Sequence, residues 1–117
     1  MNTRVLVVED EALLALDIAK QLTDAGLDVI GPAVSVAKAL RLIAEAGCDV
    51  AVLDVNLGGE TAEPVARDLR ARGIPFVVLS GYSSEQHPPG FHGAPLLSKP
   101  ARPGDLVAML LRCVRNA

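Results

Sequence analysis

Four short, unbroken apolar runs divide the chain and restrict the folds open to it. They are VLVV at 5–8, AVL at 51–53, FVVL at 76–79 and PLL at 95–97, and a weaker run, LDVI, follows Gly26 at 27–30. None of them alternates between apolar and polar residues, so the strands they form must be covered on both faces. This pattern predicts a parallel sheet between two layers of helices, with 27–30 as an edge strand.

Segments with helical periodicity lie between the apolar runs. Helices are predicted over Glu11–Ala25, Ser35–Ala46, Thr61–Arg72 and from about Pro103 onward. Alternation of strands and helices predicts right-handed crossovers and a three-layer α/β sandwich. The segment 81–94, GYSSEQHPPGFHGA, falls where a further helix is due, but its prolines and glycines allow one turn at most. We therefore expect a short or irregular fourth helix.

Composition excludes several classes of protein. The chain has 117 residues, a formal net charge of −3 and no Lys/Arg cluster, which argues against a nucleic-acid partner. No apolar run approaches the ~20 residues of a membrane span, and the N-terminus is unlike a signal peptide. Cys48 and Cys113 are too few for a disulfide framework and are expected to be packing residues in a reducing compartment. We expect one domain, 1–117, in the cytoplasm.

Polar side chains follow the predicted strands at one edge of the sheet, where ligands of open parallel sheets bind. The second strand delivers only Gly31 and Pro32 to this edge. The other strands deliver three acids, one hydroxyl and one lysine, namely Glu9, Asp10, Asp54, Ser80 and Lys99.

Three carboxylates at one edge repel one another, and a hard divalent cation such as Mg²⁺ would relieve that repulsion. A cation alone does not explain Lys99, whereas a phosphoryl group supplies oxygens for Lys99, Ser80 and the metal together. A carboxylate can act as the nucleophile that takes up such a group. We therefore expect Asp54, exposed at the end of its strand, to be phosphorylated.

The loop after Asp54 fits the same site. Asn56 lies two residues on, where its backbone carbonyl can turn towards a metal, and Gly58 and Gly59 give the loop the necessary backbone freedom.

Taken together, VLVVED at 5–10, LDVNL at 53–57, LSG at 79–81 and SKP at 98–100 resemble the receiver domain of two-component response regulators. The resemblance covers essentially the whole chain and implies a flavodoxin-like sheet of order 2-1-3-4-5. It implies that Asp54 is the phosphoacceptor and that Ser80 and Lys99 contact the phosphoryl oxygens. It also implies a cis Lys99–Pro100 bond.

The resemblance further implies the metal ligands and the partners. Asp10, Asp54 and the Asn56 carbonyl would bind Mg²⁺ directly, with Glu9 acting through water. The phosphodonor would be a phosphohistidine on a sensor histidine kinase or a histidine phosphotransfer protein. Without an output domain, the chain would switch contacts with a downstream protein or shuttle phosphate, and would not be a turnover enzyme.

Two positions depart from the common receiver pattern. Many receivers carry an aromatic residue three positions before the lysine, where this chain has Leu96, which is expected to be a core strand residue. The run PFVVLSGY at 75–82 is similar to the receiver subgroup nicknamed FAT GUY, after its Phe-Ala-Thr-Gly-hydrophobic-Tyr motif. Here Ser80 replaces Thr, and Val77 and Val78 lie inside the motif.

Three other functions remain open. Phosphatases with an aspartyl nucleophile commonly carry Asp-x-Asp, and Asn56 here removes the second acid. A phosphate-independent interaction module would not need the five polar residues at the sheet edge. A receiver excised from a hybrid histidine kinase would share the chemistry, although the start at Met1 weakly opposes it.

Several other side chains are predicted to lie at the surface without a role in the site. His87 and His92 are expected to be solvated loop histidines. Arg67, Arg70 and Arg72 are expected to form a solvated helix face. Leu13 and Leu16 point away from the inner stripe of the first helix and are expected to be scattered surface leucines, with a partner-docking patch as the alternative.

Overall fold

The computed structural model describes residues 2–81, 87–99, 101–102 and 104–115. Its strands are β1 (Arg4–Val8), β2 (Asp28–Ala33), β3 (Val50–Asp54), β4 (Asn56–Leu57), β5 (Glu60–Thr61), β6 (Phe76–Ser80) and β7 (Leu96–Ser98). Its helices are α1 (Ala12–Asp24), α2 (Val36–Glu45), α3 (Glu63–Ala71) and α4 (Asp105–Arg115).

Five of the strands form one parallel sheet in the order β2-β1-β3-β6-β7. Strands β4 and β5 pair with each other in a separate short antiparallel ribbon. When the ribbon is left out, the order is 2-1-3-4-5, so the predicted flavodoxin-like sheet is confirmed. The predicted edge position of the second strand is confirmed as well.

Each face of the sheet packs against its own pair of helices. On one face, Leu6 and Leu53 contact the inner sides of α2 and α3, and on the other Val7 and Val52 contact those of α1 and α4. Neighbouring residues of a strand point to opposite faces, so both must be apolar, and this explains the unbroken runs. Each Val or Leu buried in this way contributes about 1.5–3 kcal/mol to folding.

Most helix signals in the sequence correspond to the observed ends, but Thr61, the predicted start of the third helix, pairs in β5 instead, and α3 begins at Glu63. The Ser35 hydroxyl accepts a hydrogen bond from the Lys38 amide at 3.2 Å and so caps α2. Pro64 lies in the first turn of α3, where its missing amide hydrogen has no partner to lose. Pro103, the expected start of the last helix, lies outside the described residues.

Strand β2 differs from the expectation at its carboxyl end. Gly31 and Pro32 were expected to follow the strand, but β2 continues through them to Ala33, and the Gly31–Pro32 peptide bond is cis. Gly31 has a φ of +98°, and a Cβ there would lie 2.7 Å from the Ala33 amide nitrogen. Glycine is therefore required at this position.

In the segment expected to hold a short or irregular helix, the described residues 87–94 contain one 3₁₀ turn, Pro89–Phe91. Residues 82–86 and Pro100 lie outside the described part of the chain, and with them Tyr82 and the predicted cis Lys99–Pro100 bond. Within the described ranges, the helices are too short and too polar to cross a bilayer.

Candidate functional site

Three carboxylates meet at the carboxyl edge of the sheet, as predicted. Glu9 and Asp10 follow β1 and Asp54 is the last residue of β3, and one oxygen from each lies within 4.8 Å of the others. Asp54 was expected to be exposed, but it is only 7% exposed, and Glu9 is 1% exposed. Asp54 is buried because it is the last residue of the buried strand β3. A reactant must therefore approach it from the carboxyl edge of the sheet.

Lys99 follows β7 and lies directly against two of these acids. Its Nζ is 2.8 Å from Asp54 Oδ2 and 3.1 Å from Glu9 Oε1, and about a quarter of its side chain is exposed (24%). The two acids raise the pKa of Lys99 although burial opposes this, so the group stays an ammonium ion. Lys99 therefore offsets part of the repulsion among the carboxylates.

The surroundings of Glu9 disfavour the charged form of its carboxyl group. Burial and then the neighbouring Asp54 raise the pKa of Glu9 to about 7 from an ordinary 4.5, against the opposing effect of Lys99. Its Oε2 accepts a hydrogen bond from the Glu11 amide at 3.3 Å. Its Oε1 is buried and lies 3.1 Å from Lys99 Nζ, which is an ion-pair distance, but the two groups are not aligned for a hydrogen bond.

A buried carboxylate oxygen without a hydrogen bond, beside two further carboxylates, fits a hard cation. All three acids offer oxygen ligands, the type that Mg²⁺ prefers. The loop between β4 and β5 passes close by, since a Cβ on Gly58 would lie 3.6 Å from Asp10 Oδ2. Gly58 and Gly59 have φ values of +56° and +95°, so the backbone freedom expected of this loop is used.

Asn56 is exposed and lies in β4, next to the acids. Its amide nitrogen is 3.4 Å from Asp54 Oδ1, a long hydrogen bond that turns the backbone around the carboxylate. Asn56 is thereby brought to the site, while its role as a carbonyl ligand stays a prediction.

Ser80 ends β6 beside these residues and is 2% exposed. The Lys99 amide donates to the Ser80 carbonyl at 3.1 Å, which fixes the start of the lysine against the serine backbone. The structure thus brings Glu9, Asp10, Asp54, Ser80 and Lys99 to one edge of the sheet.

The prediction that His87 is solvated is wrong. It is 8% exposed, and its Nε2 lies 2.9 Å from Ser80 Oγ. Its ring meets that of Phe91 edge-on, with centroids 6.4 Å apart. Phe91, an apolar residue within a polar segment, is a faint signal of this burial, but the turn that brings the histidine back to the sheet has no periodicity. His92 is exposed, as expected.

Arg70 is exposed, as predicted for the arginine face, but its side chain also makes contacts that the sequence did not indicate. Its Nε donates to the Gly90 carbonyl at 3.0 Å, its Nη2 donates to the His92 carbonyl, and its guanidinium lies 5.1 Å from the centre of the Phe76 ring. Arg67 and Arg72 do form surface ion pairs, with Glu63 and Asp68 respectively.

The remaining predictions on single residues hold. Leu96 opens β7, is half-buried and packs against the core. Leu13 and Leu16 are exposed by 84% and 63%. Cys48 and Cys113 are half-buried free thiols, and burial raises the pKa of Cys48 to about 11, which keeps it protonated and unreactive.

An open parallel sheet of this order, with an acidic cluster and a lysine at its carboxyl edge, defines a receiver-type α/β domain. The family model for the response regulator receiver domain matches residues 5–111. The chain belongs to the response regulator receiver domain family of two-component systems.

Known proteins resemble the chain in sequence and in structure. It is 32% identical over 81 residues, 68% of its length, to the transcriptional regulatory protein PdtaR of Mycobacterium tuberculosis. It is 26% identical over 94% of its length to the phyllosphere-induced regulator PhyR of Methylorubrum extorquens. The chain spans only 40% and 43% of these two relatives. The solution structure of SdrG from Sphingomonas melonis Fr1 is 40% identical, with a TM-score of 0.82 and 97% of each chain covered.

Proposed function

We propose that the protein is a phosphoacceptor that takes a phosphoryl group onto Asp54 from a phosphohistidine in a Mg²⁺-dependent reaction. The observation that carries the proposal is the position of the Asp54 carboxylate, 2.8 Å from Lys99 and within 4.8 Å of Glu9 and Asp10. The neighbours of this carboxylate are an ammonium group and two further carboxylates that could bind a metal ion together with it.

The residues have separate roles in the transfer. An Asp54 carboxylate oxygen attacks phosphorus, a P–O bond forms, the P–N bond of the phosphohistidine breaks, and the departing imidazole takes a proton. Lys99 and the Ser80 hydroxyl hold two of the phosphoryl oxygens. Asp10, Asp54 and the Asn56 carbonyl would hold Mg²⁺, with Glu9 acting through water. When bound, the ion would neutralise part of the negative charge on the phosphoryl group.

The phosphodonor is a sensor histidine kinase or a histidine phosphotransfer protein, and the output is a change in contacts with a downstream protein or onward transfer of phosphate. We propose that residues 1–117 act as a single receiver domain. PdtaR and PhyR are named as regulators, which supports a signalling role. A receiver belonging to a hybrid histidine kinase, or a phosphate-independent interaction module, is the alternative.

We further propose membership of the FAT GUY subgroup. The run PFVVLSGY supports it, as does Leu96 in place of the usual aromatic residue. SdrG is 40% identical to the chain, so a position-by-position comparison of the motif in the two sequences tests this membership.

Labelling of the whole chain tests the proposal. Incubation with acetyl phosphate and Mg²⁺ should add one phosphoryl group by intact-mass measurement, and EDTA should prevent it. A chromogenic phosphate ester should not be turned over repeatedly, because Asn56 replaces the acid that a phosphatase of this type would use. Sustained hydrolysis, or a chain that acquires no phosphoryl group, would contradict the proposal.

A further inference from the structure

A buried histidine lies against the hydroxyl group that the proposed function assigns to the phosphoryl group. His87 Nε2 is 2.9 Å from Ser80 Oγ, and both residues are almost fully buried, at 8% and 2% exposure. The contact joins the end of β6 to the residue just before the 3₁₀ turn.

The packing around His87 fixes the direction of its ring. One edge meets Phe91, at an interplanar angle of 71°, and the His87 carbonyl lies 3.2 Å from His92 Nε2. The ring contact and the backbone contact together hold the His87 side chain with one nitrogen towards Ser80.

The 3₁₀ turn that carries Phe91 is itself tied to α3. Glu63 Oε2 accepts from the Gly90 amide at 2.8 Å, and Arg70 Nε donates to the Gly90 carbonyl at 3.0 Å. Both polar groups of the Gly90 backbone are therefore bound by side chains of one helix. The position of His87 relative to the sheet is fixed through this connection and does not depend on the loop alone.

A hydroxyl group has one hydrogen to donate and two lone pairs that accept. A serine that gives its hydrogen to a histidine nitrogen would face a phosphoryl oxygen with lone pairs, which repel it. A serine that accepts from an imidazole N–H can give its hydrogen to the phosphoryl oxygen and keep the histidine contact. The direction of the His87–Ser80 hydrogen bond therefore decides how well Ser80 receives the phosphoryl group.

We propose that His87 is a positioning residue whose Nε2–H donates to Ser80 Oγ and so directs the Ser80 hydroxyl hydrogen to the phosphoryl group on Asp54. The inference rests on the proposed function and adds to it a residue from the irregular segment. His87 acts only through Ser80 and does not itself touch the reacting atoms.

Two variants separate the hydrogen bond from the packing. His87→Phe keeps an aromatic ring against Phe91 and removes the nitrogen. His87→Gln removes the ring and places an amide donor near the former Nε2. The exposed His92, changed to Gln, is the matched control because it keeps a donor facing the His87 carbonyl.

The rate of Asp54 phosphorylation by acetyl phosphate at saturating Mg²⁺ is the first measurement. His87→Phe should be slower by about three- to tenfold, the effect of one hydrogen bond, and His87→Gln should recover much of the rate. His92→Gln should match the wild type. In a Ser80→Ala background, His87→Phe should cause no further loss, because its effect passes through the hydroxyl.

The second measurement does not depend on phosphorylation. Long-range ¹H–¹⁵N spectra of the imidazole should show His87 as the Nε2–H tautomer in the wild type, with its Nε2 resonance shifted in Ser80→Ala. An Nδ1–H tautomer overturns the inference, as does a His87→Phe rate equal to the wild type. An equal loss with and without Ser80 also overturns it, since that indicates a purely structural role. A wild type that takes up no phosphoryl group instead refutes the proposed function, while the tautomer still decides the hydrogen bond.

Discussion

Lys99 and Asp54 are 45 residues apart in the sequence, yet Lys99 Nζ lies 2.8 Å from Asp54 Oδ2. The same ammonium group lies 3.1 Å from Glu9 Oε1, so it connects residues that follow or end three strands of the sheet. In the absence of a cation, this lysine is the positive charge placed between two buried acids. Its removal should therefore affect stability and metal binding in opposite directions.

Lys99→Ala should destabilise the metal-free protein, because Glu9 and Asp54 lose the charge that offsets their burial. The loss in the free energy of unfolding should be about 1–3 kcal/mol, less than for a fully buried pair because Lys99 is partly exposed. Mg²⁺ should bind as tightly as in the wild type or more tightly, and should restore the stability. Urea unfolding in EDTA and in Mg²⁺ measures both effects.

The surface pair Lys20–Asp24 provides the control for this prediction. Its atoms are also 2.8 Å apart, but both side chains are largely exposed. Lys20→Ala should leave the urea midpoint almost unchanged, since exposed ion pairs contribute little. Equal losses for Lys20→Ala and Lys99→Ala would contradict the assignment of Lys99 as a buried counter-charge.

The stability of the metal-free protein should fall as pH rises from about 4.5 to about 7. In this window the folded protein keeps a proton on Glu9, whose pKa is raised to about 7, while the unfolded chain has released it. The free energy of unfolding should decrease by on the order of 2 kcal/mol across the window. The raised pKa of Lys99 stabilises the fold below its alkaline titration and adds no slope here.

Glu9→Gln isolates this effect, because the amide has nearly the same shape and does not titrate. Thermal unfolding of both proteins in EDTA over this pH range should show a slope in the wild type that the variant lacks. Mg²⁺ affinity of the wild type should rise with pH, since the cation binds the carboxylate. Parallel pH profiles of the two proteins would show that Glu9 is not the titrating group.

Gly90→Ala should loosen the 3₁₀ turn from α3. An added Cβ would lie 2.6 Å from Glu63 Cγ, so the Glu63 side chain must move away and its 2.8 Å bond to the Gly90 amide is strained or lost. The expected cost is about 1–3 kcal/mol. Gly81→Ala is the matched control, because a Cβ there meets no atom of the described residues within 4 Å. The prediction fails if the two variants unfold at the same urea concentration.

The sequence predicted the sheet and most of the site for the same reason. An unbroken run such as FVVL at 76–79 requires cover on both faces and so predicts a strand of a parallel sheet. The carboxyl ends of parallel strands lie at one edge, and this is where Ser80 meets Lys99. The burial of His87 and the backbone contacts of Arg70 were missed because they depend on the segment around the 3₁₀ turn Pro89–Phe91, which has no periodicity. The burial of Asp54 was missed because the sequence placed it after the buried strand, whereas it is the last residue of that strand.

Phosphorylation should change the conformation of the 81–94 segment and leave Leu96 nearly unaffected. Ser80 is expected to move to meet the phosphoryl group, and because His87 is bonded to Ser80 the movement should strain the contacts that hold His87 and the 3₁₀ turn. The described part of the segment holds a short 3₁₀ turn and no α-helix, so its conformation should change at a small cost in free energy. We expect an order–disorder switch that Tyr82 reports to a partner, without a rotating ring at position 96.

Amide hydrogen exchange with and without BeF₃⁻ and Mg²⁺ measures this change. BeF₃⁻ is a suitable phosphoryl mimic because it was used to solve the activated conformation of SdrG. Exchange should differ at His87–Ala94 and be similar at Leu96 and Leu97. A segment with the same protection in both states, together with a change centred on Leu96, would contradict the switch.

The most direct measurement of the central claim is the intact mass of Asp54→Asn and Asp10→Asn after incubation with acetyl phosphate over a range of Mg²⁺ concentrations. Asp10→Asn removes one metal ligand, so it should need more Mg²⁺ but still gain one phosphoryl group. Asp54→Asn removes the nucleophile and should gain none at any Mg²⁺ concentration. A phosphoryl group that persists in Asp54→Asn would contradict the account, because the acceptor would then be another residue.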